Sequence, residues 1–405
     1  MTNSGSTAIV AIFKNEAPYI LEWIAFHLSI GIDFFYIADN ESNDSTTALL
    51  SALDKLNIIK HIKFPTPANS PPQLPAYEKI MSEYRERHDW FFFIDADEFI
   101  MPQSDRSLKD LIGQFSSRPE IGGIALNWAV FGSSNFRNYS EGLVMERFTK
   151  RGEKVITLNK HFKSVVRAEA YEGTLGNPHC FKLKEGYHYA HTDGNRVTNL
   201  VAAVDGLSKG VCWESFRLNH YVVKSYAEFI NKKNRGRATK VSNSVENRNE
   251  SFFREHDVND VIELPASAIV ELTKQRMEIL RGLILENNSP EVISDTKFVL
   301  NNLVHGYHDT TRIEDNVISI RGWAFSSDNE SLEFTVHLND QMIPVTSVQK
   351  SSRPDVRNVY ADAPEECGFV LHCQVFPTAS EDELQTLRVQ ARANKCVVEL
   401  KKANS

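Results

Sequence analysis

Residues 90–100 read WFFFIDADEFI. Five apolar residues in a row, mostly aromatic, make a strand buried on both faces, the habit of a parallel sheet covered by helices. Asp95, Asp97 and Glu98 follow at once. Carboxylates are almost never buried without partners, so the chain must leave the sheet here and present its acids at the strand's carboxyl end.

Working outward, the same strand-then-polar pattern recurs upstream. Residues 9–13 form an apolar, partly β-branched run, and Asn15 offers a cap for a helix on which Ile20, Trp23, Ile24 and Leu28 recur at helical spacing. Residues 34–38 are a second strand, followed by Asp39, Asn40 and a segment whose Ser42 and Asp44 can cap a helix over 46–56. Residues 58–64 read as a strand, PTPANSPPQLP as neither helix nor central strand, and 76–87 as a helix. Such alternation implies a largely parallel, Rossmann-like α/β sheet. Ligands bind such sheets beyond the carboxyl ends of the strands, where Lys14, Asn15, Glu16, Asp39, Asp95 and Asp97 all fall.

Downstream the signals loosen. A strand over 121–130, a helix near 225–233 and a long helical pattern over 263–287 stand out, the last reading as a connector. From about residue 305 short segments of period two, among them VISIRGWAF, LEFTVHLND, GFVLHCQVF and LRVQARA, imply a small antiparallel β-sandwich. The expected division is therefore 1–250 for the α/β domain, 251–304 for a helical connector and 305–405 for the β domain.

Composition narrows the function. The chain has 405 residues, 41% hydrophobic and 24% charged, which is ordinary globular usage. A formal net charge of −8 argues against nucleic acid as a partner. No run approaches the roughly 18 apolar residues of a membrane span, and no basic then apolar leader opens the chain, so it reads as cytoplasmic. The five cysteines are scattered, without CxxC spacing, and suggest neither disulfides nor zinc.

The acidic pair carries the chemistry. On extended backbone Asp95 and Asp97, at i and i+2, would project to one side, and two adjacent carboxylates ask for a cation. Mg²⁺ or Mn²⁺ suits oxygen ligands and commonly adds substrate phosphates. An EF-hand loop is excluded, because its sixth and twelfth positions would be Ile100 and Arg106 rather than Gly and Glu. A two-aspartate phosphohydrolase is a rival reading, against which stand Phe99 and the βα units that precede the motif. A solvated acidic loop and a sugar-binding scaffold without catalysis are the plainer rivals.

Several ordered motifs now converge: IFKNEAPYILEWIAFHLSIGIDFFYIADNESNDS at 12–45, WFFFIDADEFIMP at 90–102, NWAVFGSS at 127–134 and NHYVVKSYAEFINKKNRGRA at 219–238. Over roughly residues 7–240 the chain resembles bacterial glycosyltransferases related to family two and family ninety-two. The resemblance implies a GT-A fold, a nucleotide-sugar donor that is most often UDP-linked, a divalent cation and inversion at the anomeric carbon. It implies that Lys14, Asn15 and Glu16 line the nucleotide pocket, that Asp39 meets the base, that Asp95 approaches ribose or metal, and that Asp97 holds the metal. His220, in the HY motif, is its candidate third ligand.

Inversion requires a base beside the acceptor hydroxyl. Among Glu169, Glu172, Glu185 and Asp193, Asp193 is favoured and Glu172 second, although a turn aspartate reads as well for Asp193. Lys224 and Arg235, from a basic cluster over 224–240, are candidates for diphosphate contact; the same cluster, or the C-terminal domain, offers a peripheral membrane or protein contact. The resemblance places Trp128 and Ser133 on the acceptor side, where Trp128 can stack on a sugar, a core tryptophan being the plainer reading. The expected acceptor is a glycan or glycolipid hydroxyl; the donor sugar, the linkage and homo-oligomer formation stay open.

Overall fold

The computed structural model describes residues 5–67, 70–103, 107–140, 142–198, 206–234, 249–288, 304–314, 316–326, 331–339, 341–359, 363–375, 380, 382–393 and 396–402. The chain divides into two compact units, one of 1–137 with 142–296 and one of 138–141 with 297–405.

The first unit opens with four parallel strands, β1 (Thr7–Phe13), β2 (Phe34–Asp39), β3 (Lys60–Lys63) and β4 (Trp90–Phe93). Helices α1 (Ala17–Ile30), α2 (Thr46–Lys55) and α3 (Gln73–Tyr84) connect them. Then come β5 (Glu98–Pro102), α4 (Leu108–Ser116), β6 (Ile121–Val130), α5 (Val144–Arg147), β7 (Lys150–Arg151) and β8 (Phe162–Arg167). A hairpin of β9 (Tyr171–Thr174) and β10 (Phe181–Leu183) leads to β11 (His188–His191), β12 (Phe216–His220), α6 (Tyr226–Asn234) and α7 (Glu250–His256). β13 (Val261–Ile262), paired with β7, precedes α8 (Ser267–Asn287).

The main sheet has the order β3-β2-β1-β4-β8-β6-β12-β5, with β11 beside β6. β8 is antiparallel to both β4 and β6, which therefore point the same way, and β12 runs parallel to β6. The carboxyl ends of β1, β2, β4, β6 and β12 thus share one edge of the sheet. The α/β fold with its largely parallel sheet is as expected from the sequence. Trp90, Phe91, Phe92 and Phe93 are fully buried, as a strand covered on both faces must be.

Asn15 does not cap α1: it sits at φ 54°, and its side chain donates to the side chain of Asn43 and accepts the Asn43 amide in the loop after β2. α1 ends at Gly31, whose φ of 103° is a left-handed cap that glycine adopts without Cβ strain. The helix is apolar almost all round, with Ile20, Leu21, Trp23, Ile24, Ala25 and Phe26 buried, so it needs cover on both sides. α8, expected to be a connector, supplies that cover. It packs along α1 within the first unit, burying Val270, Leu280 and Ile284, with Arg276 donating to Ser29 at 3.2 Å. None of the described helices is long and apolar enough to cross a membrane.

In the second unit β14 (Val304–Glu314), β15 (Val317–Ser326), β16 (Glu333–Leu338), β17 (Gln341–Ile343), β18 (Val345–Ser351), β19 (Gly368–Gln374), β20 (Arg388–Ala393) and β21 (Cys396–Lys402) follow the order β17-β16-β20-β21-β14-β15-β19-β18. Neighbours are antiparallel except β14 and β21. Ile318, Ile320 and Leu371 from one half pack with Val336, Val389 and Leu400 from the other, so the two halves fold over one core. Trp323 and Phe325 of the IRGWAF segment lie in a second buried cluster with Val356 and Cys367. They are core residues, not an exposed platform for a sugar.

Candidate active site

The acidic motif turns where extended backbone was expected: the amide of Glu98 donates to the carbonyl of Asp95 at 3.1 Å, closing a tight turn. The two carboxylates consequently meet different partners. Asp95 accepts from Gln73 at 2.9 Å and from Lys163 at 2.8 Å. Asp97 accepts from Lys232, and Nε2 of His220 lies 3.6 Å from the same Oδ2. The main chain is held as well, with the amide of Tyr221 on the carbonyl of Asp97 at 2.9 Å and the amide of Asp95 on Glu98 at 2.8 Å.

α1 fixes the motif from behind. Trp23 donates its indole N–H to the carbonyl of Glu98 at 2.8 Å. His27 donates from Nδ1 to the carbonyl of Trp23 at 2.8 Å and accepts the amide of Ile100 on Nε2 at 3.2 Å. Burial pushes His27 down to about 3, so it stays neutral and can do both.

The electrostatics follow from burial set against charge. Burial works to raise Asp95 and Asp97, but the ammonium groups of Lys163 and Lys232 outweigh it, and both stay ionised well into acid. Lys163, 1% exposed in its side chain, is held protonated against burial by Asp95 and by Glu98 at 3.6 Å. Burial pushes Glu98 up to about 8. Burial also lowers His220, whose Nδ1 is buried without a hydrogen-bond partner.

At the carboxyl ends of β1 and β2 stand the residues expected to line a nucleotide pocket. Lys14 is half-buried at the end of β1, the amide of Glu16 donates to Thr46 at 2.9 Å, and Asn15 ties the two loops together. Asp39 is buried; burial works to raise it, but His61 and the hydroxyls of Ser42 and Thr47 bring it down to about 2.

Lys224 stands in the loop after β12, where its charge reaches Asp97. It is 3% exposed, adopts φ 54°, and carries its ammonium 4.1 Å above the ring of Tyr19. Left-handed backbone in a lysine costs about 1 kcal/mol or more. Glu228, the nearest acid in sequence, is taken by a two-pronged grip from Arg147 at 2.9 and 3.1 Å, by Ser225 and by Tyr19 at 2.9 Å. Among the described residues no carboxylate lies within ion-pair distance of Lys224, although its charge acts from further off on Asp97, Glu228 and Glu22.

Trp128, half-buried, forms a floor, its ring 4.3 Å from His220, 4.9 Å from His161 and 5.4 Å from His179. Its Nε1 is buried without a partner, an open invitation to a hydroxyl.

Other expected residues are not brought here. Asp193 is exposed and caps its own turn, accepting the amide of Asn195 at 2.8 Å, in a segment after β11 that Arg118 holds through the carbonyl of Gly194. Glu172 lies exposed on β9, paired with Lys182 at 3.0 Å. Each is engaged locally, Asp193 in its own turn and Glu172 in hairpin pairing. Ser133 is 2% exposed, its hydroxyl accepting from Asn135 and its amide donating to Asp257, so it holds a turn and does not face an acceptor. Arg235 lies outside the described residues.

Gln73 and Lys163 are the residues that motif reading passed over, while Glu98 was read only as one of the strand-end acids and Lys232 only as part of the basic cluster. Lys163 had a signal, a lysine amid the apolar FKSVVR strand; Gln73 had none, since it stands in a proline-rich stretch.

Protein donors alone do not cage a metal: among the described residues no group of three or more His, Cys, Asp or Glu side chains converges. Asp97 and His220 converge as a pair, which fits a divalent ion whose other ligands are phosphate oxygens and water.

The model of glycosyltransferase family 92 matches residues 9–252, the stretch that holds every side chain of this crevice. The chain belongs to glycosyltransferase family 92. A family 92 protein of Oryza sativa subsp. japonica is 29% identical over 189 residues, covering 46% of this chain and 31% of that protein. One of Ricinus communis is 28% identical over 222 residues, covering 53% and 37%. The chain thus spans about a third of the length of these family 92 relatives. Among solved structures, S. aureus TarS aligns over 99% of this chain and 78% of its own at 11% identity and a TM-score of 0.29. A TarS complex with UDP covers 41% and 47% at 14% identity and a TM-score of 0.28.

Proposed function

We propose that this chain transfers a sugar from a nucleoside diphosphate donor, UDP-linked, to a hydroxyl of a glycan or glycolipid, with inversion. The observation that carries the reading is Lys224, a nearly buried ammonium in strained backbone whose neighbouring acid is already taken by Arg147. Set beside Asp97 at the carboxyl edge of a parallel sheet in a family 92 chain, such a cation suits a diphosphate.

In this reading the loops around Asn15 and Asp39 receive the nucleoside, and Lys224 meets the diphosphate. Trp128 lies beneath the sugar, stacking on the ring while its N–H meets a hydroxyl. Asp97 and His220 would hold Mn²⁺ or Mg²⁺, which when bound balances charge on the departing nucleoside diphosphate. Burial keeps His220 neutral, as a ligand nitrogen must be.

Calorimetric titration of UDP and other nucleoside diphosphates into the protein, with Mn²⁺ and again with EDTA, tests this. Metal-dependent binding of one nucleotide, followed by hydrolysis of its sugar conjugate, is expected. No binding in either condition overturns the reading in favour of a sugar-binding scaffold.

A further inference from the structure

One oxygen of Asp97 serves two nitrogen groups. Oδ2 accepts from Nζ of Lys232 and faces Nε2 of His220 at 3.6 Å. Lys232 is pinned from its other side, donating to the carbonyl of Val222 at 2.8 Å, and its side chain is only 8% exposed. A buried ammonium with a carboxylate and a carbonyl for partners is held in place, and removing it would leave Asp97 as a buried charge with one fewer counter-ion.

The same oxygen is the one that a divalent ion shared with His220 would use. An ion there would stand against the ammonium of Lys232 in a site of low dielectric, where like charges repel strongly. Without a nucleotide, Lys232 and the ion therefore compete for Asp97. A diphosphate changes the balance, since its oxygens can accept the ammonium while offering further ligands to the ion.

We infer that Lys232 is the resident counter-ion of Asp97, and that a divalent ion reaches Asp97 only together with a nucleoside diphosphate that draws the ammonium away. The inference rests on the donor and metal reading given above. It makes Lys232 a positioning residue that sets the order of binding, nucleotide before or with metal. Asp95 is organised likewise by Lys163 at 2.8 Å, so the motif is neutralised by two lysines before any ligand arrives.

The test is titration of Mn²⁺ into the full chain, with and without UDP, read by the electron paramagnetic resonance of free Mn²⁺. The wild type should bind Mn²⁺ about tenfold more tightly, or better, with UDP than without. K232Q, which removes the charge and keeps a polar side chain, should bind Mn²⁺ alone about tenfold more tightly than the wild type does. D97N should lose Mn²⁺ in every condition. Equal Mn²⁺ affinity of K232Q and wild type without UDP, with D97N still losing it, overturns the counter-ion role and leaves the metal reading standing. Failure of the wild type to bind Mn²⁺ even with UDP overturns the metal reading and the counter-ion role together. Should K232Q not fold, K232R decides: it keeps the charge, and Mn²⁺ binding alone that is tighter than wild type overturns the role.

Discussion

Arg147 grips Glu228 with its two terminal guanidinium nitrogens, at 2.9 and 3.1 Å, in a site where the two side chains are 4% and 5% exposed. With Glu228 so held, Lys224 has no carboxylate within ion-pair distance among the described residues and lies over the ring of Tyr19. Arg147→Met should cost about 3 kcal/mol or more, because it strands a buried carboxylate, and should weaken nucleotide binding, as the stranded acid turns to Lys224. Urea unfolding beside calorimetry measures both.

Lys224→Gly separates the charge from the backbone. Glycine accepts φ 54° without strain, so stability should stay within about 1 kcal/mol of wild type. Nucleoside diphosphate affinity should fall about tenfold with loss of the charge-assisted contact. Unchanged affinity would remove Lys224 from the donor site.

Trp128 should matter to the sugar and not to the nucleotide. In Trp128→Phe, which keeps a ring and deletes the N–H, affinity for UDP should hold, while that for the UDP-sugar identified as donor should fall by about 1 kcal/mol, the worth of one hydrogen bond. Parallel losses for both ligands would make Trp128 a core residue.

Burial pushes the Glu22 carboxyl up to about 7, even though it accepts the amides of Val144 at 2.8 Å and Met145 at 3.4 Å. Its folded value is raised above the unfolded one, so its contribution is complete below about pH 4.5 and is lost as pH rises through about 7. Urea unfolding between pH 5 and 8 should show stability falling by on the order of 3 kcal/mol from this group. Glu22→Gln should flatten that slope, and an unaltered slope in the variant would refute the assignment.

Leu371 is fully buried in the core of the second unit. Leu371→Ala should destabilise that unit by about 2 to 5 kcal/mol, visible as an earlier thermal transition, with UDP affinity unchanged.

Local pattern determined a good deal here. The apolar runs ending in Phe13, Asp39 and Asp95 each announced a buried strand and the point where it leaves the sheet, because burial on two faces admits no polar side chain. The strand over Ile121–Val130 was legible for the same reason. β14 (Val304–Glu314) was not, since its sequence VHGYHDTTRIE carries polar residues on both faces and so lacks a period of two. The connector reading of α8 failed because its partner is the far side of α1, and no helical period states which helix lies opposite.

Of the site, the sequence by itself determined Asp95, Asp97 and His220 as the polar residues at strand ends, together with their membership of one family. Which charges face them was decided only by tertiary structure. Lys163 and Lys232 are separated from the motif by 68 and 135 residues, and they meet it because β8 is inserted beside β4 and α6 follows β12. A carboxylate's chemistry depends on what stands within a few ångströms of it, and that neighbourhood is set by strand order, which no local spacing encodes.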